Sequence, residues 1–330
     1  MPGPIIFEVD VQIAITLACI GYLAEGGSPA EKYAAMGKGL RQPDLPTAGR
    51  WRIVWGPAEA DSSLWYMAVG PDGQGQPALA VVIRGTQMKL PASLKLDREL
   101  ELVPLPFEAP TAPPDARISK GFAQELRNLL VAVDPQSGLT GEQFLRKLTG
   151  APGAPRQAMV IGHSLGGATA PILSMWLKQQ FPALAVRPFP FGGQSPGNQA
   201  FAHWYEAAIA PWPSRYTNRL DATWMMFAEF QQMKTLWPGG PSCPPWLTLL
   251  IDAVEIDMAA RKIRYASTQR PRIFEGALYD LSGLGAWEKE ASAQHEHLYY
   301  MFLAGIPLQV IRNGLGPQWS PPPILGTPPG

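Results

Sequence analysis

The residues best suited to chemistry are Gly162-His163-Ser164-Leu165-Gly166-Gly167, which follow the apolar run Ala158-Met159-Val160-Ile161 and open a helical pattern. A serine on a sharp turn between a strand and a helix is held in a strained backbone conformation that presents its hydroxyl at the top of the sheet. Glycines two before and two after it let strand and helix approach closely. The helix that starts behind Ser164 offers the free N–H of Leu165, suited to holding the oxyanion of a tetrahedral intermediate. The plain alternative is a glycine-rich turn carrying an incidental serine. Against it stand the carboxylates and histidines placed later in the chain.

A nucleophilic serine needs a base, and the base needs an acid to orient it. Where such a turn carries the nucleophile, the chain order is Ser, then acid, then His. Of the four histidines, His163 adjoins the serine with its side chain expected to point elsewhere, and His203 precedes the candidate acid on a predicted helix. That leaves His295 and His297. For the acid, Asp221 ends the strand-like run 215–220, where a carboxylate reaches the crevice at the carboxyl ends of parallel strands. Asp252 and Asp257 fall on a long helical pattern and should face solvent, while Asp280, in the loop-like run 279–283, is the weaker alternative.

These side chains need a frame. Ile13, Leu17, Ile20 and Leu23 recur at helical spacing, and Gly26-Gly27 ends that helix. Strands are expected at 51–55, 64–69 and 78–84, the last two joined by the turn Gly70-Pro71-Asp72-Gly73. Beyond that the pattern alternates: helix 119–133, strand 158–161, helix 165–181 with Pro171 inside it, strand 186–191, helix 198–209, strand 215–220, helix 246–261 and a last helix from about 291 to 303. Alternation of this kind predicts an α/β fold with a mostly parallel sheet and helices on both faces. No linker-like composition divides it, so residues 1–316 are expected to form one domain, followed by a Pro/Gly-rich tail, 317–330.

Five stretches, in order over about Ala78 to Gly305, resemble the class 3 (fungal-type) triacylglycerol lipases. They are Val81-Val82-Ile83-Arg84-Gly85-Thr86, Ile118-Ser119-Lys120-Gly121-Phe122, the turn around Ser164, the run Phe189 to Ala202, and Asn218-Arg219-Leu220-Asp221. The resemblance implies an α/β-hydrolase fold and ester hydrolysis through an acyl-enzyme on Ser164, with Asp221 as acid and no cofactor. It also implies that Thr86 shares the oxyanion hole with Leu165. A lid would lie at about 88–114, where Leu- and Pro-rich sequence makes too long a connection for an ordinary loop. The partner implied is a lipid or ester substrate at a lipid–water interface. Fungal members carry a segment similar to His297-Leu298-Tyr299-Tyr300, with the base at its head. A bacterial cold-active, yeast-like branch carries one closer to Gln294-His295 followed by Tyr299, Leu303 and Gly305, and this longer match implies His295. On one continuous helix His295 and Tyr299 share a face while His297 points about 200° away, so only one histidine could reach Ser164. Where many relatives carry Asp-x-Val-Pro, this chain has Asp221-Ala222-Thr223-Trp224.

Composition narrows the rest. In 330 residues, 27 Lys+Arg balance 27 Asp+Glu, which leaves no clustered charge for nucleic acid. Charged residues make up only 16%, against 36 prolines and 33 glycines, so an apolar, loop-rich surface is expected somewhere. Cys19 and Cys243 are too few for a disulfide framework or a zinc site and read as small buried thiols. Glu8 and Asp10 precede the apolar run 13–20, unlike a cleaved secretory signal, and that run is too short to span a membrane. A soluble protein is expected. Trp224-Met225-Met226-Phe227, continuing through Phe230, Met233, Leu236, Trp237 and Trp246, would line an acyl groove or pack a core. A short-chain esterase, a phospholipase, and a catalytically silent ligand binder are the alternative functions such a fold serves.

Overall fold

The computed structural model describes residues 8–61, 63–85, 100–279, 281–317 and 319. Thr86, Asp280, the first part of the expected lid (88–99) and most of the tail expected from 317 onward lie outside the described residues. The chain runs through α1 (Val9–Gly21), α2 (Pro29–Leu40), β1 (Arg52–Ala60), β2 (Ser63–Pro71), β3 (Pro77–Arg84), β4 (Leu102–Pro104), β5 (Arg117–Ser119), α3 (Lys120–Val131) and α4 (Gly141–Thr149). It continues with β6 (Gln157–His163), α5 (Leu165–Gln180), β7 (Ala185–Phe191), α6 (Gln199–Ile209), β8 (Arg215–Asn218), a 3-10 turn (Thr223–Met225), α7 (Phe230–Met233) and α8 (Pro245–Ala260). Last come β9 (Pro271–Phe274), α9 (Ala286–His295), α10 (His297–Leu303) and α11 (Leu308–Gly314).

Seven strands form one sheet in the order β1-β2-β3-β6-β7-β8-β9. β1, β2 and β3 are antiparallel neighbours, and from β3 to β9 every pairing is parallel. Both faces of β3 are buried: Leu79, Val81 and Ile83 pack with α3 and α5, whereas Ala78, Ala80 and Val82 pack with α1. That alternation is the two-residue period of a strand covered on both sides, the mark of a parallel-type sheet. β7 pairs with β6 over seven residues but with β8 only at Phe191 and Tyr216. Its residues 188 and 190 face β8 and are prolines, so the donors for a second ladder are missing.

One expectation needs correction. The expected helix 291–303 is two helices, because Glu296 adopts an extended conformation (φ −59°, ψ 129°) and its carboxylate caps the start of α10. The described part of the expected lid, 100–114, includes the short strand β4, paired with β5. The Trp/Met stretch is largely core: Met225, Phe227, Phe230, Met233 and Trp237 are buried, while Trp224 and Met226 are half-buried against them. Both cysteines are free thiols, Cys19 buried and Cys243 half-buried. Among the described residues no helix is long and apolar enough to cross a membrane.

Candidate active site

β6 ends at His163 and α5 begins at Leu165, leaving Ser164 alone on the turn with φ 61° and ψ −128°. A non-glycine residue at positive φ is strained and persists only where its surroundings over-determine it. The surroundings here are tight. A Cβ on Gly162 would stand 2.0 Å from the Gly166 carbonyl oxygen, and one on Gly166 would stand 2.4 Å from that of Ile83. Any side chain at either position would push the helix away from the sheet. The backbone N–H of Ser164 donates to the Phe191 carbonyl at 3.0 Å, which ties the turn to the end of β7. Leu165 stands in the first turn of α5, where a backbone N–H has no intrahelical acceptor. Gly85, at the end of β3, lies so close that a Cβ on it would approach the Ser164 Cβ to 2.9 Å, so β3 delivers the chain beside the serine.

Asp221 follows β8 and is fully buried. Its Oδ2 accepts from His295 Nδ1 at 2.8 Å and from the Tyr300 hydroxyl at 2.8 Å, and its Oδ1 accepts from the Thr223 N–H at 2.7 Å. An ionised carboxylate only accepts, so the proton between His295 and Asp221 sits on Nδ1, and the neutral ring carries its lone pair on Nε2. That Nε2 is buried and has no hydrogen-bond partner among the described residues. The arrangement is a base with one nitrogen fixed and the other open.

Behind this pair, His163 does not point elsewhere. Its ring stacks on His295 at 4.7 Å between centroids, and its Nε2 lies 3.0 Å from the His295 carbonyl oxygen. A carbonyl accepts, so His163 Nε2 carries the proton and its Nδ1 accepts from the Tyr22 hydroxyl at 2.8 Å. Burial, reinforced by the neighbouring charges of His295 and His297, holds the His163 pKa well below the usual histidine range. His163 is therefore a neutral support for the backbone of His295. The Tyr300 hydroxyl in turn accepts from the Asn218 N–H at 3.1 Å, and burial together with the charge of Asp221 keeps its proton on.

His297 goes to a different place. Its Nδ1 lies 2.7 Å from Glu296 Oε1, and its ring stacks on Tyr22 at 4.3 Å. The structure thus brings Asp221 and His295 together and leaves His297 in a pair of its own. Asp252 and Asp257 lie on α8, paired with Lys234 and Arg261. Sequence reasoning missed Tyr22, Asn218 and Tyr300, all acting through hydrogen bonds across long stretches of chain. Tyr300 had one available signal, an aromatic hydroxyl five residues after the histidine and next to the apolar run of a helix.

A serine on a strained strand-to-helix turn, in a parallel-centred sheet covered on both faces, defines an α/β hydrolase of the serine type. Residues 80–227 match the model of the lipase (class 3) family, so this part of the chain is similar to that family. Among solved structures, the fold is similar to that of M37 lipase, with a TM-score of 0.74 and 19% identity over 92% of this chain and 95% of that one. It is also similar to Lip2 lipase from Yarrowia lipolytica, with a TM-score of 0.52 and 17% identity over 82% and 79%. None of the curated proteins compared with the chain matches it.

Proposed function

We propose that the chain hydrolyses acylglycerol esters, with Ser164, His295 and Asp221 as triad. Ser164 Oγ attacks the ester carbonyl as His295 Nε2 takes the hydroxyl proton, and Asp221 stabilises the imidazolium that forms. The oxyanion is held by the Leu165 N–H and, as the family resemblance implies, by Thr86. Collapse of the tetrahedral intermediate breaks the bond to the alcohol, which leaves with the proton from His295. Water then gives a proton to His295 and attacks the acyl-enzyme; as the second tetrahedral intermediate collapses, His295 returns that proton to Ser164 Oγ and the fatty acid leaves. No cofactor enters these steps.

The observation that carries this reading is the bond from His295 Nδ1 to a wholly buried Asp221, with Nε2 left open. Replacing Ser164→Ala should lower kcat on p-nitrophenyl esters by about 10⁴-fold or more with the thermal transition intact. A variant that keeps parental activity would sink the mechanism. Activity across emulsified triglycerides and soluble esters of rising acyl length separates a lipase from a short-chain esterase on the same residues.

A further inference from the structure

Helix α8 is apolar on two faces. Leu247, Ile251, Val254 and Met258 recur at helical spacing and are buried in the core. A surface helix normally carries one such stripe. α8 carries a second, Trp246, Leu249, Ala253, Ile256 and Ala260, spaced by three, four, three and four, and all exposed. Leu249 and Ile256 are each 70% exposed. Beside the start of α8, Leu284 is 97% exposed at the tip of the loop before α9, and it shares with Trp246 the wall of an open hollow of about 690 Å³. Of the eight large hydrophobic side chains exposed among the described residues, four belong to this patch.

The patch is built on elements that also hold the acid and the base. Trp237, in the segment leading into α8, donates its indole N–H to the Leu220 carbonyl, next to Asp221. Its ring packs at 5.2 Å against Trp287 of α9, the helix that ends at His295. At 1.5 Å per residue, the start of α9 stands about 15 Å from that histidine. Charge tells what the patch meets. Across residues 229–264, Glu229, Asp252, Glu255 and Asp257 balance Lys234, Arg261, Lys262 and Arg264, with Asp257 and Arg261 paired at 3.1 Å and Asp252 taking Lys234. No basic excess is present to draw an anionic membrane. A five-residue stripe about 21 Å long also falls short of the roughly 800 Å² per partner that a stable dimer buries.

We infer that this face docks the enzyme on a neutral lipid surface, with Trp246 and Leu284 entering the acyl layer beside the catalytic residues. An exposed tryptophan and leucine on a surface of balanced charge are suited to that boundary. The inference rests on the lipase reading and adds a docking face separate from residues 88–114.

The test compares the parent with the double variant Trp246→Ser/Leu284→Ser on soluble p-nitrophenyl butyrate and on emulsified triolein. Binding is read by flotation with phosphatidylcholine-coated triolein droplets, both proteins carrying Ser164→Ala so that the surface is not consumed. The soluble rate should stay within about twofold, while emulsion rate and droplet-bound fraction fall about tenfold or more, as loss of two inserted side chains implies. Val131→Ser, a comparably exposed residue on α3, should change neither. A double variant that binds droplets like the parent overturns the docking face alone. A parent that cleaves the soluble ester but neither binds nor hydrolyses the emulsion overturns the lipase reading and the inference with it. A parental dimer in sedimentation that the double variant dissolves assigns the face to a second copy and overturns the inference.

Discussion

Two histidine–carboxylate pairs stand two residues apart in this chain and have different natures. His295 meets Asp221 at 2.8 Å, and His297 meets Glu296 at 2.7 Å. Distance does not tell them apart. Asp221 comes from the end of a parallel strand, is wholly buried, and has both oxygens occupied by three donors. Glu296 is the immediate neighbour of His297, with its side chain 36% exposed, and spends its carboxylate on capping a helix. A contact between adjacent residues follows from chain geometry alone, whereas one across 74 positions exists only because the fold makes it. The second kind can orient a base toward another element of the fold.

The largest effect expected from this contrast is in the base itself. His295→Ala should lower kcat/KM on a soluble ester by about 10³-fold or more, because Ser164 then has no proton acceptor. His297→Ala should stay within about threefold, since its ring touches Tyr22, Glu296 and the edge of His163 but not Asp221. Assay of both variants at equal folded concentration decides the matter. An inactive His297 variant beside an active His295 variant would reverse the assignment.

A smaller effect is expected at Tyr300, which separates the two pairs in another way: only Asp221 has such a second donor from a buried hydroxyl. A hydrogen bond to a charged group contributes about 1.5–3 kcal/mol. Tyr300→Phe should therefore reduce kcat by about tenfold or somewhat more, with KM little changed, because the residue steadies the acid without touching substrate. A rise in KM with kcat intact would contradict the positioning role.

What the chain discloses about itself divides along the same line. The turn at Ser164 and the parallel run of strands were legible because both depend on local pattern: glycines at fixed offsets, apolar runs of strand length, helical periodicity. The break at Glu296 was not, because the residues on either side keep a helical pattern and the extended backbone there serves a carboxylate cap and tertiary bonds. That missed break also removed the basis for setting His295 and His297 on opposite faces of one helix. α2 and α4 were missed although Ser28 with Glu31, and Thr140 with Gln143, spell out capping boxes. Their helices are short and weakly apolar, so the periodic signal was faint while the cap signal was plain. Tyr22 was hidden for a different reason, since nothing in the sequence states which hydroxyl a buried imidazole will find.

The smallest expected effect tests the neutral support behind His295. In the fold, burial holds His163 without a proton far below the ordinary 6.5, whereas in the unfolded chain it protonates near that value. Below about pH 6.5 the unfolded state therefore binds the extra proton, and stability falls as the pH drops from there toward the folded value. The stability contributed by this group is complete above pH 6.5 and lost in acid. His163→Gln keeps a donor toward the His295 carbonyl and removes the titration. Urea unfolding from pH 7.5 down to 5 should show the variant somewhat less stable at neutral pH, because the Tyr22 hydroxyl loses its acceptor. Its decline with acid should be shallower, by up to about 1.4 kcal/mol per pH unit. Equal slopes in the parent and the His163 variant would mean that the stacked imidazole takes up its proton in the fold as readily as in the unfolded chain.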